Sequence, residues 1–337
     1  MSEKLSGKVV SEYLVKWPNM ATMTLARKIH NENPELFTNV ENVRSLIRYR
    51  RGTLGSFNRA KHKIEEVTYA EQANMNNIPN PFHLPDSDET EWEPFILPKL
   101  AKKVLILSDI HVPYHNIKAI TLAIQYAKER KPDAIVFNGD TLDMYALSRY
   151  EKDPRKRSFS QELEACRQLL GVFKNEFPGI PFYWKQGNHE ERYESFLRIK
   201  APELLDVSEF RLDVLLRFGE IGCTLIADKR KIMAGKLPIM HGHEFGRSVF
   251  SPVNPARGYY MRAKTSVIAG HNHQTSEHSE SNLHGEVVTT WSTGCLCELH
   301  PLYMPVNKWN HGFAFVTVDE DGGYEVDNVR IVKGKIR

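Results

Sequence analysis

The sequence predicts an α/β protein in which two packed β-sheets carry flanking helices and follow a small all-α domain. Apolar residues recur at helical spacing through the first 63 residues, and strand-like and helix-like stretches alternate from Lys102 onward. Five further strand-like runs then follow with little helix between them. The alternation predicts a largely parallel sheet, and the late strands predict a second sheet packed on the first.

The first element is a basic helical domain, residues 1–63. Helical periodicity covers three stretches, Val9 to Lys16, Thr22 to His30 and Asn39 to Tyr49, and Pro34 ends the second. The domain holds twelve Lys or Arg against five Glu, a net charge of +7, whereas the other 274 residues sum to −4. This asymmetry predicts a basic module joined to a near-neutral or acidic one.

Three short helices of this kind favour a helix-turn-helix-like module. Arg44, Arg48 and Arg51 share one side of the last helix, where they can contact the phosphates of a nucleic acid. The alternative is a solvated basic helix that binds nothing. We expect nucleic acid as the partner of this domain, no membrane partner and no obligate protein partner.

Residues 64–100 are predicted to be a linker. Residues 64–98 contain eight acidic residues, five prolines and no Lys or Arg. This composition favours an extended segment that packs little core of its own. The second domain is therefore predicted to span residues 101–337.

The second domain opens with three strands separated by two helices. The strands are "KVLILSD", "AIVFNGD" and "PFYWKQGN", and the helices cover residues 116–130 and "QELEACRQLLGVFKNEF". The later strand-like runs are "KLPIMHG", "TSVIAGHNH", "EVVTTWSTG", "GFAFVTVD" and "EVDNVRIV". Right-handed crossovers place the loops that follow parallel strands at one edge of the sheet.

Composition indicates an ordinary soluble protein of the cytoplasm. The chain is 41% hydrophobic and 26% charged, its apolar runs are too short to cross a membrane, and its first residues are polar. Four cysteines are too few for a disulfide framework, which fits a reducing compartment.

Asp, Asn or His side chains follow five of the predicted strands. They are Asp109 and His111, Asp140 and Asp143, Asn188 and His189, His241 and His243, and His271 and His273. Because parallel strand ends converge, these groups would share one crevice, where a cation relieves the repulsion and desolvation of so many charges. Oxygen and imidazole donors without thiolate fit Mn, Fe, Zn, Ni or Co, and this many potential ligands suits two ions that share a carboxylate.

The ordered series D-x-H, G-D-x-x-D, G-N-H-E, H-G-H and G-H-x-H resembles the calcineurin-like metallophosphoesterase family over about residues 102–330. The resemblance implies a four-layer α/β/β/α sandwich and two divalent metal ions, with Mn favoured. The pairing with a basic helical module also resembles phage or mobile-element members of the family.

The resemblance further implies a role for each motif residue. One metal is held by Asp109, His111 and His273, the other by Asn188, His241 and His271, and Asp140 bridges them. A metal-bridging hydroxide attacks phosphorus in line, His189 protonates the leaving group and Asp143 orients His189. His243 is expected either behind the ligands or against the substrate, and His115 either at the substrate rim or in a plain loop.

The substrate is less constrained than the reaction. Protein phosphatases that resemble G-D-x-V-D-R-G carry an Arg where this chain has Met144, which disfavours that activity. The basic module favours a phosphodiesterase or nuclease acting on nucleic acid. A phosphomonoesterase or nucleotide phosphatase is the alternative, and a DNA-binding protein with a non-catalytic phosphoesterase domain is the second.

A late segment, "STGCLCELHPLYMPVNKWNHGFAF", carries Tyr303 and Trp309. It predicts either a lid that offers an aromatic surface to a base or packing across the second sheet, and we favour packing.

Overall fold

The computed structural model describes residues 5–17, 20–51, 92–149, 153, 158–246 and 253–337. The chain divides into two compact units, residues 1–88 and 89–337. Most of the predicted linker, residues 64–91, lies outside the described residues. In the ranges just given, no helix has both the length and the apolarity needed to cross a bilayer.

The first unit contains the three predicted helices, α1 (Leu5–Lys16), α2 (Thr22–Glu32) and α3 (Val40–Arg51). Their apolar faces meet in a small core that includes Val10, Leu25 and Ile47. Residues 33–39 connect α2 to α3, a longer connection than the three or four residues of a helix-turn-helix. The structure therefore shows the helical domain but does not confirm the helix-turn-helix.

The second unit is built from two β-sheets. Its strands are β1 (Phe95–Ile96), β2 (Lys103–Leu107), β3 (Ala134–Asn138), β4 (Phe182–Lys185), β5 (Cys223–Ile226), β6 (Ile232–Ala234), β7 (Leu237–Met240), β8 (Val267–Ala269), β9 (Ser276–Ser281), β10 (Val287–Ser292), β11 (His311–Val318), β12 (Tyr324–Val332) and β13 (Lys335–Ile336). The first sheet has the order β13-β12-β11-β2-β3-β4-β5 and the second has the order β1-β6-β7-β8-β10-β9.

Helices cover the outer faces of both sheets. The second unit contains α4 (Ile117–Arg130), α5 (Phe159–Glu176), α6 (Glu191–Lys200), α7 (Leu212–Leu215), α8 (Phe218–Ile221) and α9 (Pro255–Ala263). Ala123 of α4 and Phe173 of α5 pack on the first sheet, and Tyr259 of α9 packs on the second. A separate core, with Ile106 and Val136 on one side and Ile239 and Ile268 on the other, fills the space between the sheets. The four-layer α/β/β/α sandwich is thus confirmed.

The end of the predicted linker is part of this sandwich. Phe95 and Ile96 form β1, which pairs in parallel with β6 at the edge of the second sheet. The Phe95 N–H donates to the Lys231 carbonyl at 2.8 Å, and the Leu97 side chain is buried between the sheets. A short apolar run therefore outweighs the proline-rich composition around it.

Parallel pairing brings the functional loops to one edge of the sandwich. Strands β2, β3 and β4 pair in parallel within the first sheet, as do β7 and β8 within the second. At their carboxyl ends the Asn138 side-chain amide donates to the Met240 carbonyl at 2.8 Å, which joins the two sheets. All five predicted motifs follow these five strands.

Candidate metal centre

The structure brings the predicted metal ligands together at this edge. The His241 Nε2 lies 3.2 Å from the Asp140 Oδ2, and the His273 Nε2 lies 3.2 Å from the Asp109 Oδ1. The His111 Nε2 in turn lies 3.2 Å from the His273 Nε2. Side chains from both sheets therefore point their donor atoms into one buried space.

Two of the groupings that these donors form share one carboxylate. The donor atoms of Asp140, His241 and His271 lie within 4.8 Å of one another, as do those of Asp140, His111 and His189. The place of Asp140 in both groupings is the arrangement expected of a bridging ligand. A third grouping joins Cys297 to His111 and His273, where the Cys297 Sγ lies 4.0 Å from the His273 Nδ1.

The donor set fits divalent cations. The Asn188 Oδ1 is buried and has no hydrogen-bond partner within the described ranges, although a buried polar atom normally has one. Burial alone would lower the pKa of two imidazoles, but Asp140 beside His241 and Asp109 beside His273 raise both to about 10. A proton on each imidazole balances the negative charge of its carboxylate partner, which a bound metal ion would otherwise neutralise.

The ligands are held in an uncommon backbone conformation. Asp109, His111, Asp140, His271 and His273 all have positive φ angles between 50° and 70°. A non-glycine residue in this region costs about 1 kcal/mol or more and persists where the surroundings over-determine it. Here the Asp109 carboxylate accepts the His271 N–H at 2.9 Å, and the His111 N–H donates to the Asp140 carbonyl at 2.9 Å.

Glu190 is a supporting residue whose role the sequence did not reveal. Its position directly after the G-N-H triplet predicts that it lies at the start of a helix, and it immediately precedes α6. Its fully buried carboxylate accepts four backbone N–H groups at 2.8–3.0 Å. The donors are Asp140, Thr141, Leu142 and Gly187. One side chain thus fixes the loop after β3, which carries Asp140, to the loop after β4, which carries Asn188.

We expect Glu190→Gln to destabilise the fold and weaken metal binding. A glutamine amide replaces an oxygen acceptor by an NH₂ donor, so about two N–H groups lose their partner, at about 1–3 kcal/mol each. Urea unfolding with and without EDTA, together with metal content after dialysis, measures both effects. Glu194→Gln, an exposed change on the same helix, is the matched control, and equal stability of the two variants would contradict this role.

A second buried carboxylate, Glu244, supports the loop after β7. It accepts the His241 N–H at 3.1 Å and pairs with the fully buried Lys185 of β4 at 2.8 Å. Burial alone would raise the pKa of Glu244, but the Lys185 ammonium outweighs it and lowers the pKa to about 2. This ion pair ties His241 to the neighbouring sheet.

Asp143 divides its contacts between two histidines. Its carboxylate lies 3.0 Å from the His111 Nδ1 and 3.5 Å from the His189 Nδ1, while the His189 Nδ1–H donates to the Asp143 carbonyl at 2.7 Å. The nearest imidazole to the carboxylate is therefore that of His111, a predicted metal ligand. Both the carboxylate and the backbone carbonyl of Asp143 face the His189 Nδ1, and the carbonyl is the nearer of the two.

The remaining predicted residues lie farther from the ligands. His243 places its Nε2 2.9 Å from the Glu191 carboxylate, and its ring centroid lies 5.2 Å from that of His241. His115 is half-buried, and its backbone forms an isolated bridge with Cys297.

The three arginines of α3 differ in their surroundings. Arg48 is exposed, whereas Arg44 pairs with Glu41 at 3.2 Å. Arg51 donates to the Thr22 hydroxyl at 3.0 Å and to the Met20 carbonyl at 2.6 Å. Arg51 therefore connects α3 to α2 within the unit, which the sequence pattern did not show.

Glu162 of α5 gives the unit a pH-dependent stability. Its carboxylate accepts the Met144 N–H, and burial, reinforced by nearby Asp143, raises the pKa of Glu162 to about 7. Because the folded form holds this proton more tightly than the unfolded chain, the contribution is favourable at low pH and is lost as pH rises through 7.

We therefore expect Glu162→Gln to flatten the pH dependence of stability in metal-free protein. A rise from 4.5 to about 7 corresponds to about 3 kcal/mol, at about 1.4 kcal/mol per pKa unit. The wild type should lose up to that much unfolding free energy relative to the variant between pH 5 and pH 8, measured by urea denaturation in EDTA. Glu164→Gln on the same helix should keep the wild-type profile, and a wild-type profile in Glu162→Gln would refute the assignment.

Comparison with known proteins gives three findings. Residues 102–292 match the family model for the calcineurin-like phosphoesterase. The chain is 30% identical to the Gene 54 protein of Mycobacterium phage L5 and 26% identical to that of Mycobacterium phage D29, each over 233 residues that cover 65% of this chain and 90% of the phage protein. Vacuolar Protein Sorting 29 from Cryptosporidium parvum matches with 14% identity and a TM-score of 0.39, covering 71% of this chain and 95% of that one.

Proposed function

This chain belongs to the calcineurin-like phosphoesterase family and is a metal-dependent phosphoric ester hydrolase, and we propose that its substrate is a phosphodiester of nucleic acid. The observation that carries the proposal is the coexistence of two features in one chain. One is the convergence of Asp, Asn and His donors around Asp140. The other is a separately folded helical domain with a net charge of +7 over residues 1–63.

Seven side chains are available to hold two cations. We assign Asp109, His111 and His273 to one cation, Asn188, His241 and His271 to the other, and Asp140 to both. When bound, the two divalent cations supply an activated water and neutralise the charge of the phosphoryl oxygens. Oxygen and imidazole donors favour Mn, with Zn, Fe, Ni and Co as alternatives.

The protein itself contributes proton transfer and orientation. His189 lies beside the ligands, with its Nε2 3.8 Å from the Asp140 Oδ2. Its Nδ1–H is held by the Asp143 carbonyl, which turns the Nε2 edge toward the metal-binding space. We assign His189 as the general acid that protonates the leaving oxygen.

In the helical domain, Arg48 is the arginine best placed to contact a phosphate. It is exposed on α3, whereas Arg44 and Arg51 are only partly exposed. Phosphate contacts of this kind position a protein on nucleic acid without reading its sequence.

A panel of substrates and metals tests the proposed function. The full-length protein is assayed with Mn, Ni, Zn and Mg on mononucleotides, cyclic nucleotides, and single- and double-stranded DNA and RNA. We expect hydrolysis of at least one nucleic acid. Turnover of mononucleotides alone would identify a nucleotide phosphatase instead, and no turnover of any phosphoester would favour a non-catalytic DNA-binding protein.

Binding experiments test the role of the helical domain. We expect Arg48→Ala to weaken binding of fluorescent duplex DNA and to reduce the salt dependence of log K by about one, while hydrolysis of bis(p-nitrophenyl) phosphate is unchanged. Arg198→Ala in α6, an exposed arginine of the other unit, is the control. If the wild type binds no DNA or RNA, this domain does not recruit nucleic acid.

A further inference from the structure

The rim of the metal centre beside His189 carries a cation that neither the motifs nor the ligand assignment uses. Arg192, in the first turn of α6, is half-buried and donates from Nη1 to the Asp143 carbonyl at 2.9 Å. Its Nη2 lies 2.9 Å from the His189 Nε2. Neither the carbonyl nor the imidazole carries a negative charge, so neither contact compensates the charge of the guanidinium.

Among the described residues no carboxylate pairs with this charge, and the nearby Asp143 carboxylate instead faces the His111 and His189 imidazoles. Within the described part of the chain, Arg192 forms no ion pair with Asp or Glu, whereas Arg198 on the same helix pairs with Glu194 at 2.8 Å. A half-buried cation next to a centre that binds two divalent cations is repelled by them. An anion at the same place removes that repulsion, and the phosphate of a substrate is such an anion.

An aromatic surface begins at the same rim. The Trp309 ring packs edge-on against the metal ligand His273, with 4.2 Å between ring centroids, and the Tyr303 ring lies 6.3 Å beyond Trp309. Trp309 is half-buried against this imidazole. Tyr303 differs, because 72% of its surface is exposed, so it is not a core residue.

A chain of side-chain contacts joins Tyr303 to Arg192 along this rim. Trp309 connects Tyr303 to His273, whose ring centroid lies 5.0 Å from that of His111. The His111 centroid lies 4.4 Å from that of His189, which Arg192 contacts. Partial burial and the nearby Asp143 carboxylate raise the pKa of the Tyr303 hydroxyl, and the Arg192 guanidinium opposes that rise. Leu302 and Val306 on the same loop are 89% and 92% exposed. An exposed aromatic ring on an apolar rim, next to an uncompensated guanidinium, fits a ligand with one flat apolar part and one anionic part.

We propose that Arg192 and Tyr303 form a nucleotide subsite, in which Arg192 binds a phosphate oxygen of the substrate and the Tyr303 ring stacks on the adjoining base. The proposal rests on the proposed function and specifies its substrate as a nucleoside phosphoester. Protein phosphatases with the G-D-x-V-D-R-G motif carry an arginine where this chain has Met144. Arg192 would contact the phosphate in place of that arginine.

Two substrates with the same leaving group test the stacking contact. Thymidine 5′-(p-nitrophenyl phosphate) and methyl p-nitrophenyl phosphate both release p-nitrophenolate and differ only in the nucleoside. We expect the wild type to favour the nucleoside ester in kcat/KM, and Tyr303→Leu to lose about tenfold of that preference, mainly through KM. Tyr303→Phe keeps the ring and should keep the preference, as should Leu283→Ala at an exposed turn between β9 and β10.

The arginine contact predicts a different pattern. Arg192→Gln should raise KM for both esters by about tenfold or more without changing their ratio, since the phosphate is common to both. Arg192→Lys should recover part of the loss, and Arg198→Gln should behave as the wild type. Metal content and thermal unfolding are measured for every variant to separate these effects from loss of the fold.

A binding measurement makes the test independent of turnover. Calorimetry with a non-hydrolysable adenosine 5′-phosphonate and with methylphosphonate should show tighter binding of the nucleoside compound to the wild type but not to Tyr303→Leu. If both esters are hydrolysed and their ratio is the same in the wild type and Tyr303→Leu, the subsite is refuted while the hydrolase remains. If neither ester is hydrolysed with any metal but the nucleoside phosphonate still binds through Tyr303, the subsite stands and the proposed hydrolysis of nucleic acid fails.

Discussion

Replacing Asp140 by Asn is expected to abolish most of the activity and to lower the bound metal below two ions per chain. The carboxylate lies 3.2 Å from the His241 Nε2 and 3.9 Å from the His111 Nε2. Its loss removes a ligand from both proposed cations at once. We expect kcat/KM to fall by about a thousandfold or more, which corresponds to about 4 kcal/mol. Inductively coupled plasma mass spectrometry on dialysed protein gives the metal count.

The same chemical change on the surface provides the control. Asp206 is exposed, and Asp206→Asn should keep two metal ions and full activity. A fully loaded Asp140→Asn protein would show that Asp140 does not bridge the cations. The assignment of all seven ligands would then have to be revised.

Replacing His189 by Ala is expected to separate proton transfer from metal binding. The imidazole lies beside the ligands, held by the Asp143 carbonyl at 2.7 Å. An alkoxide leaving group requires a proton, whereas p-nitrophenolate leaves without one. We therefore expect about a thousandfold loss of kcat on an alkyl ester and less than about a tenfold loss on the p-nitrophenyl ester.

Two measurements decide the role of His189. The metal content of His189→Ala should equal that of the wild type, because the assignment leaves His189 outside the metal-binding set. His284→Ala, at an exposed turn, should change neither quantity. Equal losses on the two esters would exclude the general-acid role and indicate that His189 binds a metal, as its grouping with His111 and Asp140 allows.

Much of the second unit could be predicted because each strand and the polar residues that follow it are adjacent in the sequence. Each predicted ligand follows a short apolar strand within a few residues, and parallel pairing then requires the strand ends to converge. The pattern of alternating strands and helices likewise sufficed for the two sheets. Strands β5 and β6 escaped prediction because they are short and lack a strong apolar alternation.

The supporting residues could not be predicted, because their roles depend on contacts distant in sequence. Glu190 looks like an acidic helix start until its carboxylate is seen to receive N–H groups from about 50 residues away. Arg192 looks like a helix-surface cation until the loop after β3 brings Asp143 to it. The positive φ angles at Asp109 and Asp140 are equally invisible, since aspartate rarely adopts them unless tertiary contacts impose them.

The first unit shows the same division. Helical periodicity correctly predicted α1, α2 and α3, because each buries one apolar stripe in a shared core. The common side of Arg44, Arg48 and Arg51 did not determine which of them reaches solvent. Arg44 contacts Glu41, and Arg51 contacts Thr22 and Met20, and helical spacing indicates neither contact.

The proposed ligands come from loops of both sheets, with Asp140 on one and His241 on the other. Cations bound between them would therefore fasten the sandwich at this end, where the described contacts are otherwise hydrogen bonds and the Lys185–Glu244 pair. Each tenfold increase in free metal above its dissociation constant adds about 1.4 kcal/mol per site to the free energy of unfolding. Metal starvation would then shorten the lifetime of the protein against proteolysis as well as stop its turnover.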